Sequence, residues 1–327
     1  MNWSNLLYPK KIYQALRIES HTLLTVLKHD YPDIMLQFLG GIGDELLLSC
    51  VAHELKIRNQ ALKIWQVSPA AELLKNNPDY SQIFNMNDWQ LRYSNLLNRQ
   101  RMKLRYTEQP VAGEYEIPPK EHILACLCRS VGITGEITIR PYYYQTDNEK
   151  ESGRLAPRQL CVHSMGAHTH ETWMGNKAWF HDRFQKVVDG LLERNNGLRI
   201  IQVGVGKDYP LHNVLDLRGK TSLRQTAAIL SQSECLIGTQ GFLGHLARAV
   251  ECRSVIVFGG REHSWQTGYS CNENLDSFVE CAPCWHWNKC SYDKQCMDMI
   301  STEDVLAAVQ RVSDRLSERL ETDNFTL

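Results

Sequence analysis

Four cysteines, Cys281, Cys284, Cys290 and Cys296, fall in the spacing C-x2-C-x5-C-x5-C within "CAPCWHWNKCSYDKQC". Thiolates so spaced can complete a tetrahedral site, and the first pair has the bite of a zinc knuckle. Zinc, or else iron, is the ion such a site would hold, because sulfur ligands alone do not choose between them. The ion would pin the loop 281–296, whose Trp285, Trp287 and Tyr292 have too few aliphatic companions to build a core of their own. The competing reading is four free, partly buried cysteines. A second group lies in "FLGGIGDELLLS", Phe38 to Ser49, where three glycines and an acid separate an apolar strand from an apolar helix. Glycines at such a junction let the backbone turn sharply or approach a ligand. Asp44 would then stand at the mouth of a cleft, not inside a core. The plainer reading makes it an acid in a first helical turn, favoured by the helix dipole.

The elements around these residues read as α/β. "DIMLQFLG" is a buried strand, "DELLLSCVAHELKIRN" the helix after it, and "LKIWQVS" the next strand. "AAELLKNNPDYSQIF" reads as helix and loop, the stretch from Asn87 to Lys120 shows little periodicity, and "KEHILACLCRSVGI" is helical again. The polar segment 142–159, with Gly153 and Pro157 and no apolar face, is expected to be a linker. Beyond it the alternation restarts in "QLCVHSMGA", "AWFHDRFQKVVDGLLERN", "LRIIQVGV", "NVLDLRG", "SLRQTAAILSQS", "ECLIG", "FLGHLARAVE" and "SVIVFGG". Strands alternating with helices predict parallel sheets with crossover helices. The expected organisation is two Rossmann-like domains, 1–150 and 158–327. Ligands of such sheets bind beyond the carboxyl ends of the strands.

Composition sets the bounds. A chain of 327 residues, 43% hydrophobic and 22% charged, is long enough for two globular domains. Its net charge of -1 offers no excess of cations to neutralise phosphates, so no nucleic-acid partner is expected. No apolar run reaches the roughly 18 residues of a membrane span, and "MNWSNLLYPKKIYQ" lacks the features of a secretory signal. The eleven cysteines are therefore expected in a reducing, cytoplasmic setting, as thiols or metal ligands.

The run "DLRGKTSLRQTAAILSQSECLIGTQGFLGHLARAV" followed by "SVIVFGG" resembles the donor-binding half of the heptosyltransferases, glycosyltransferase family nine. Gly43 and Asp44 match the family's G-D at the end of its first strand, and "CAPCWHWNKCSYDKQCM" resembles its cysteine-bearing tail. The likeness covers nearly all of Leu160 to Val309, and more thinly Asp33 to Phe84. It implies the GT-B architecture, in which two Rossmann-like domains face each other across a cleft. It also implies inverting transfer of a sugar, with heptose the candidate, from a nucleotide diphosphate to a glycan or lipopolysaccharide-type acceptor. No catalytic metal is implied. Peripheral contact with the inner face of the cytoplasmic membrane goes with a lipid-linked acceptor.

On this resemblance Asp44 inherits the role of general base. Ser164, Gly166 and Lys177 become donor-binding residues, Lys177 as a point charge on phosphate. Gln240, Gly241 and His245 form the second donor segment. Gln240 stands where the family usually has an aspartate, which leaves the donor's identity open. Arg99, Arg101 and Arg105 are candidates to meet an acidic acceptor, against the alternative of a solvated face. The rival reading of the whole chain is a non-catalytic, nucleotide-sugar-binding or scaffold protein that keeps the fold.

Overall fold

The computed structural model describes residues 9–38, 40–108, 115–165, 175–318, 320 and 323–327. A helix, Pro9–His29, precedes the first sheet. That sheet is built from β1 (Ile34–Phe38), β2 (Ile64–Val67), β3 (Gln82–Phe84) and β4 (Arg101–Leu104), all parallel, in the order β3-β2-β1-β4. A short strand β5 (Glu136–Thr138) lies apart from it. The second sheet comprises β6 (Gln159–Val162), β7 (Arg199–Gln202), β8 (Leu215–Asp216), β9 (Leu236–Thr239), β10 (Ser254–Gly259) and β11 (Glu273–Asp276). These strands are again parallel, ordered β11-β10-β9-β6-β7-β8. The central strands β1, β2, β9 and β10 are buried along their whole lengths, as strands covered by helices on both faces must be.

Two strands of the first sheet were not visible as apolar runs, and neither were β5 and β11. β3 closes a stretch read as helix and loop, and β4 lies in the stretch without periodicity. Both are edge strands, so one side needs no partner and polar residues such as Arg101 and Lys103 are tolerated there. The expected linker contains a helix, Asp147–Ser152, because Thr146 and Glu149 form a reciprocal capping box. Arg224 donates to Glu149 at 2.7 Å and ties this helix to the helix Leu223–Ser231.

Four clusters of buried side chains carry the packing, the smallest being Met35, Trp65, Val67, Phe84, Leu91 and Leu97 on the first sheet. One packs β1 and the helix Ile42–Arg58 against the helix Ile123–Ser130, and includes Leu36, Leu48, Leu124 and Ile137. Another holds Val162, Phe184, Val257 and Val305 around the second sheet. The third joins the halves, setting Leu46, Ala70 and Leu73 against Leu243, Leu246 and Leu236. The chain also returns to its first half. β12 (Asn324–Thr326) pairs antiparallel with β5, and Phe325 and Leu327 pack on the first cluster.

Candidate active site

The helix Ile42–Arg58 starts two residues before Asp44, which places that acid in the first turn. Asp44 Oδ2 accepts the Gly41 amide at 2.7 Å, so the plain helix-start role is realised. Oδ1 accepts the Tyr106 hydroxyl at 2.6 Å, and Tyr106 stacks on Phe38. The glycines differ in the room they leave. A Cβ on Gly43 would lie 3.4 Å from the Cα of Phe242, the first residue of the helix Phe242–Ala249. That is ordinary contact, so the helices of the two halves meet closely here without needing glycine at 43, whereas a Cβ on Gly40 would collide with Asp44 Oδ2.

The cleft encloses about 870 Å³ between the halves, within the range of small-molecule sites. From the first half it is lined by Asp44, Arg92, Arg105, Tyr106 and Glu116, and from the second by Lys177, Gln240, Gly241, His245, Glu262 and Trp285. Lys177, at the end of the 3-10 turn Gly175–Lys177, pairs with Glu262 at 2.9 Å and donates to Gln240 Oε1 at 3.1 Å. Glu262 also accepts Thr267 Oγ1 at 3.0 Å and pairs with Arg261, whose guanidinium reaches Glu116 at 2.8 Å. This buried network crosses the cleft, and each charge in it has an opposite partner.

Burial sets the titration of these groups. It raises Asp44 against the hydrogen bonds from Tyr106 and Gly41 and the charge of Lys177. A carboxylate shifted upward is a better proton acceptor near neutral pH. Burial, then the Asp44 charge, pushes the Tyr106 hydroxyl well up, so it stays a donor. Burial, then Arg261, lowers Lys177, while Glu116 and Asp44 oppose them; the Glu262 carboxylate at 2.9 Å keeps it an ammonium. His245 shares a 2.7 Å hydrogen bond with the Tyr269 hydroxyl, and burial lowers it to about 3. It is therefore a neutral ring in the folded protein.

Glu45, buried beneath Asp44, accepts Gln66 Nε2 at 2.8 Å, and burial pushes its carboxyl up to about 7. The folded state then holds this proton more tightly than the unfolded chain, whose glutamate titrates near 4.5. Its contribution is complete below that value and is lost as pH rises towards about 7. Glu45→Gln should remove this slope and gain up to about 3 kcal/mol over the parent above neutral pH. Urea melts at both ends of the window test it, and parallel pH profiles for the two proteins would refute it.

Several expected site residues lie elsewhere. Ser164 is buried outside the cleft lining, donating to the Tyr209 carbonyl and accepting from Gln202, each at 2.9 Å. Gly166 lies outside the described residues. Arg101 is spent on the Leu91 and Ser94 carbonyls, holding the turn before β4, and Arg99 is exposed away from the cleft. Of the three arginines only Arg105 lines the cavity. Tyr106, Glu116 and Glu262 were not singled out from the sequence. Tyr106 and Glu262 each follow a strand's carboxyl end closely, which is the signal that could have found them.

The expected four-thiolate site is not assembled. Cys281, Cys290 and Cys296 line a cavity of about 110 Å³. Yet among the described residues no group of three or more His, Cys, Asp or Glu side chains is arranged to hold a metal ion. Burial raises the Cys284 and Cys296 thiols, which favours their protonated form. The loop borrows its cores from both halves instead. Trp285 belongs to the first cluster and donates to Gln266 at 3.0 Å, while Cys296 packs against the second.

Comparison with known proteins agrees with this architecture. Residues 141–294 match the model of glycosyltransferase family 9 (heptosyltransferase). Lipopolysaccharide heptosyltransferase 3 of Escherichia coli strain K12 is 24% identical over 151 residues, which is 42% of this chain and 42% of that protein. A glycosyl transferase family 9 structure from Veillonella parvula superposes with a TM-score of 0.61 at 14% identity, covering 89% of this chain and 99% of that one. The ADP-heptose lipopolysaccharide heptosyltransferase II of E. coli gives 0.63 at 13% identity, over 87% and 99%. The dodecameric iron-containing heptosyltransferase TibC, in complex with ADP-D-beta-D-heptose, gives 0.62 at 14% identity, over 87% and 77%. The chain thus has the GT-B fold seen in the heptosyltransferases, and its residues 141–294 match the glycosyltransferase family 9 model.

Proposed function

We propose that the chain transfers a sugar, with heptose the candidate, from a nucleoside diphosphate to a hydroxyl of a glycan or lipopolysaccharide-type acceptor, with inversion. The observation that carries this reading is the placement of Asp44 and Lys177 on opposite sides of one cleft. Asp44 takes the acceptor proton as the hydroxyl oxygen bonds to the anomeric carbon. The bond from that carbon to the diphosphate breaks with its electron pair, and Lys177 meets the charge that develops on the leaving group. Base and cation both come from the chain itself. The nucleotide heptose bound by one structural neighbour supports the donor class. Arg105, exposed on the first-half side, is the cation available to an acidic acceptor, since Arg92 is committed to the Phe38 carbonyl and Glu45.

Incubation with a panel of nucleotide sugars, read by thermal shift and by transfer to a lipopolysaccharide core, tests the reading. A donor that raises the melting temperature and is consumed only when acceptor is present supports it. Stabilisation without turnover would favour the non-catalytic binding protein, for which the substitution at Gln240 speaks.

A lipid-linked acceptor would place the reaction at the inner face of the cytoplasmic membrane. No described helix is long and apolar enough to cross one. The helix Pro9–His29, however, exposes Ile12, Tyr13, Leu16, Leu23, Leu24 and Leu27. At about 100° per residue these share one side, with Arg17 and Lys28 beside them, which supports contact with an anionic lipid surface. The protein should sediment with phosphatidylglycerol vesicles, and the double variant Leu23→Ser, Leu27→Ser should not. Equal sedimentation of both would remove this face from the contact.

A further inference from the structure

Gln240, immediately after β9, is 5% exposed and lines the cleft. Its two side-chain atoms have different fates. Oε1 accepts Lys177 Nζ at 3.1 Å, whereas Nε2 has no hydrogen-bond partner among the described residues. The orientation of the amide follows from chemistry, because an ammonium has only hydrogens to give and must face the oxygen. The amide therefore turns its NH2 group away from the lysine. A buried donor without an acceptor is rare and costly in a folded protein. This one stands beside a lysine, at the edge of a cavity that can hold a ligand.

The negative charge that a neutral amide cannot give Lys177 comes from Glu262 at 2.9 Å. Glu262 is itself committed to Arg261 and Thr267. Lys177 is thus held between a carboxylate and an amide oxygen. A carboxylate at position 240 would accept the hydrogen of a sugar hydroxyl. The amide NH2 offers the opposite polarity.

We propose that Gln240 is a specificity-determining residue, whose NH2 group joins Lys177 in a donor pair that reads a diphosphate oxygen of the leaving group. The inference rests on the reading of this cleft as a nucleotide-sugar site. It adds that position 240 selects an oxygen without a hydrogen and contributes nothing to recognition of the nucleoside. The contact forms with the ground-state diphosphate and strengthens as charge builds on it.

Calorimetry on the full chain, with inorganic pyrophosphate, ADP and adenosine as probes, tests this without any turnover. Gln240→Met keeps the length and removes both polar atoms, and should weaken pyrophosphate and ADP about tenfold, the effect of one hydrogen bond to a charged group. Gln240→Glu should weaken them further, by about a hundredfold, because a carboxylate beside the diphosphate repels it. Adenosine should bind all three proteins alike. Unchanged ADP affinity in Gln240→Met, or undiminished affinity in Gln240→Glu, overturns the assignment while the donor site stands. Equal losses for ADP and adenosine also overturn it, since the damage would then be general. If the parent protein binds neither pyrophosphate nor ADP, the nucleotide-sugar reading fails first and this inference with it.

Discussion

Replacing Asp44 with asparagine lowers turnover by about 10²–10⁴-fold, the usual share of general-base catalysis, and changes affinity for the nucleoside diphosphate by less than about twofold. The asymmetry follows from position. Asp44 lies on the first-half side of the cleft, while the leaving group is assigned to Lys177 on the second. Asparagine keeps an oxygen for the Gly41 amide and an amide that the Tyr106 hydroxyl can accept, so the helix start and the stacking on Phe38 survive. In the parent protein turnover should fall as acid protonates Asp44, and burial moves that fall above the ordinary carboxylate range. Parallel turnover and calorimetric measurements decide the matter. Near-normal turnover in the variant would reduce Asp44 to a helix cap.

The second large effect is expected at Lys177. Lys177→Met should weaken nucleoside diphosphate binding by about 1.5–3 kcal/mol, the worth of one charge-assisted hydrogen bond. The loss should appear in the donor KM, and in turnover as well if the ammonium meets charge that develops in the transition state. Glu262 retains Arg261 and Thr267 in the variant, so no carboxylate is left unpaired in the interior. The thermal midpoint should therefore move far less than the affinity. A dissociation constant equal to the parent's would remove Lys177 from the donor site.

The second half was legible at β6, β9 and β10 because these strands are continuous apolar runs buried on both faces, whereas the half-exposed β11 was not read. Such runs need only length and punctuation to be recognised. The first half was legible only at β1, β2 and the helices that cover them. Its edge strand β4 carries alternate charges, and single-sequence periodicity does not register a half-exposed strand of four residues. The site divided in the same way. Asp44 and Lys177 could be placed by motif and neighbourhood, but Glu262, Tyr106 and Glu116 act through partners remote in sequence. Arg101 and the four cysteines show the converse. Spacing and charge suggested ligands, whereas backbone carbonyls claim the arginine and two borrowed cores hold the cysteine loop.

The antiparallel pair of β12 and β5 bears on how the molecule is made. A ribosome delivers β5 early, yet the strand that completes it follows only after the whole second sheet has been synthesised. Until then the nascent first half has an unpaired strand edge, and its core lacks the cover of Phe325 and Leu327. Domains released from the ribosome usually mature one after another. Here the partner of β5 and part of the cover of the first core come from the far end of the second half, which ties the two halves in sequence as well as in space.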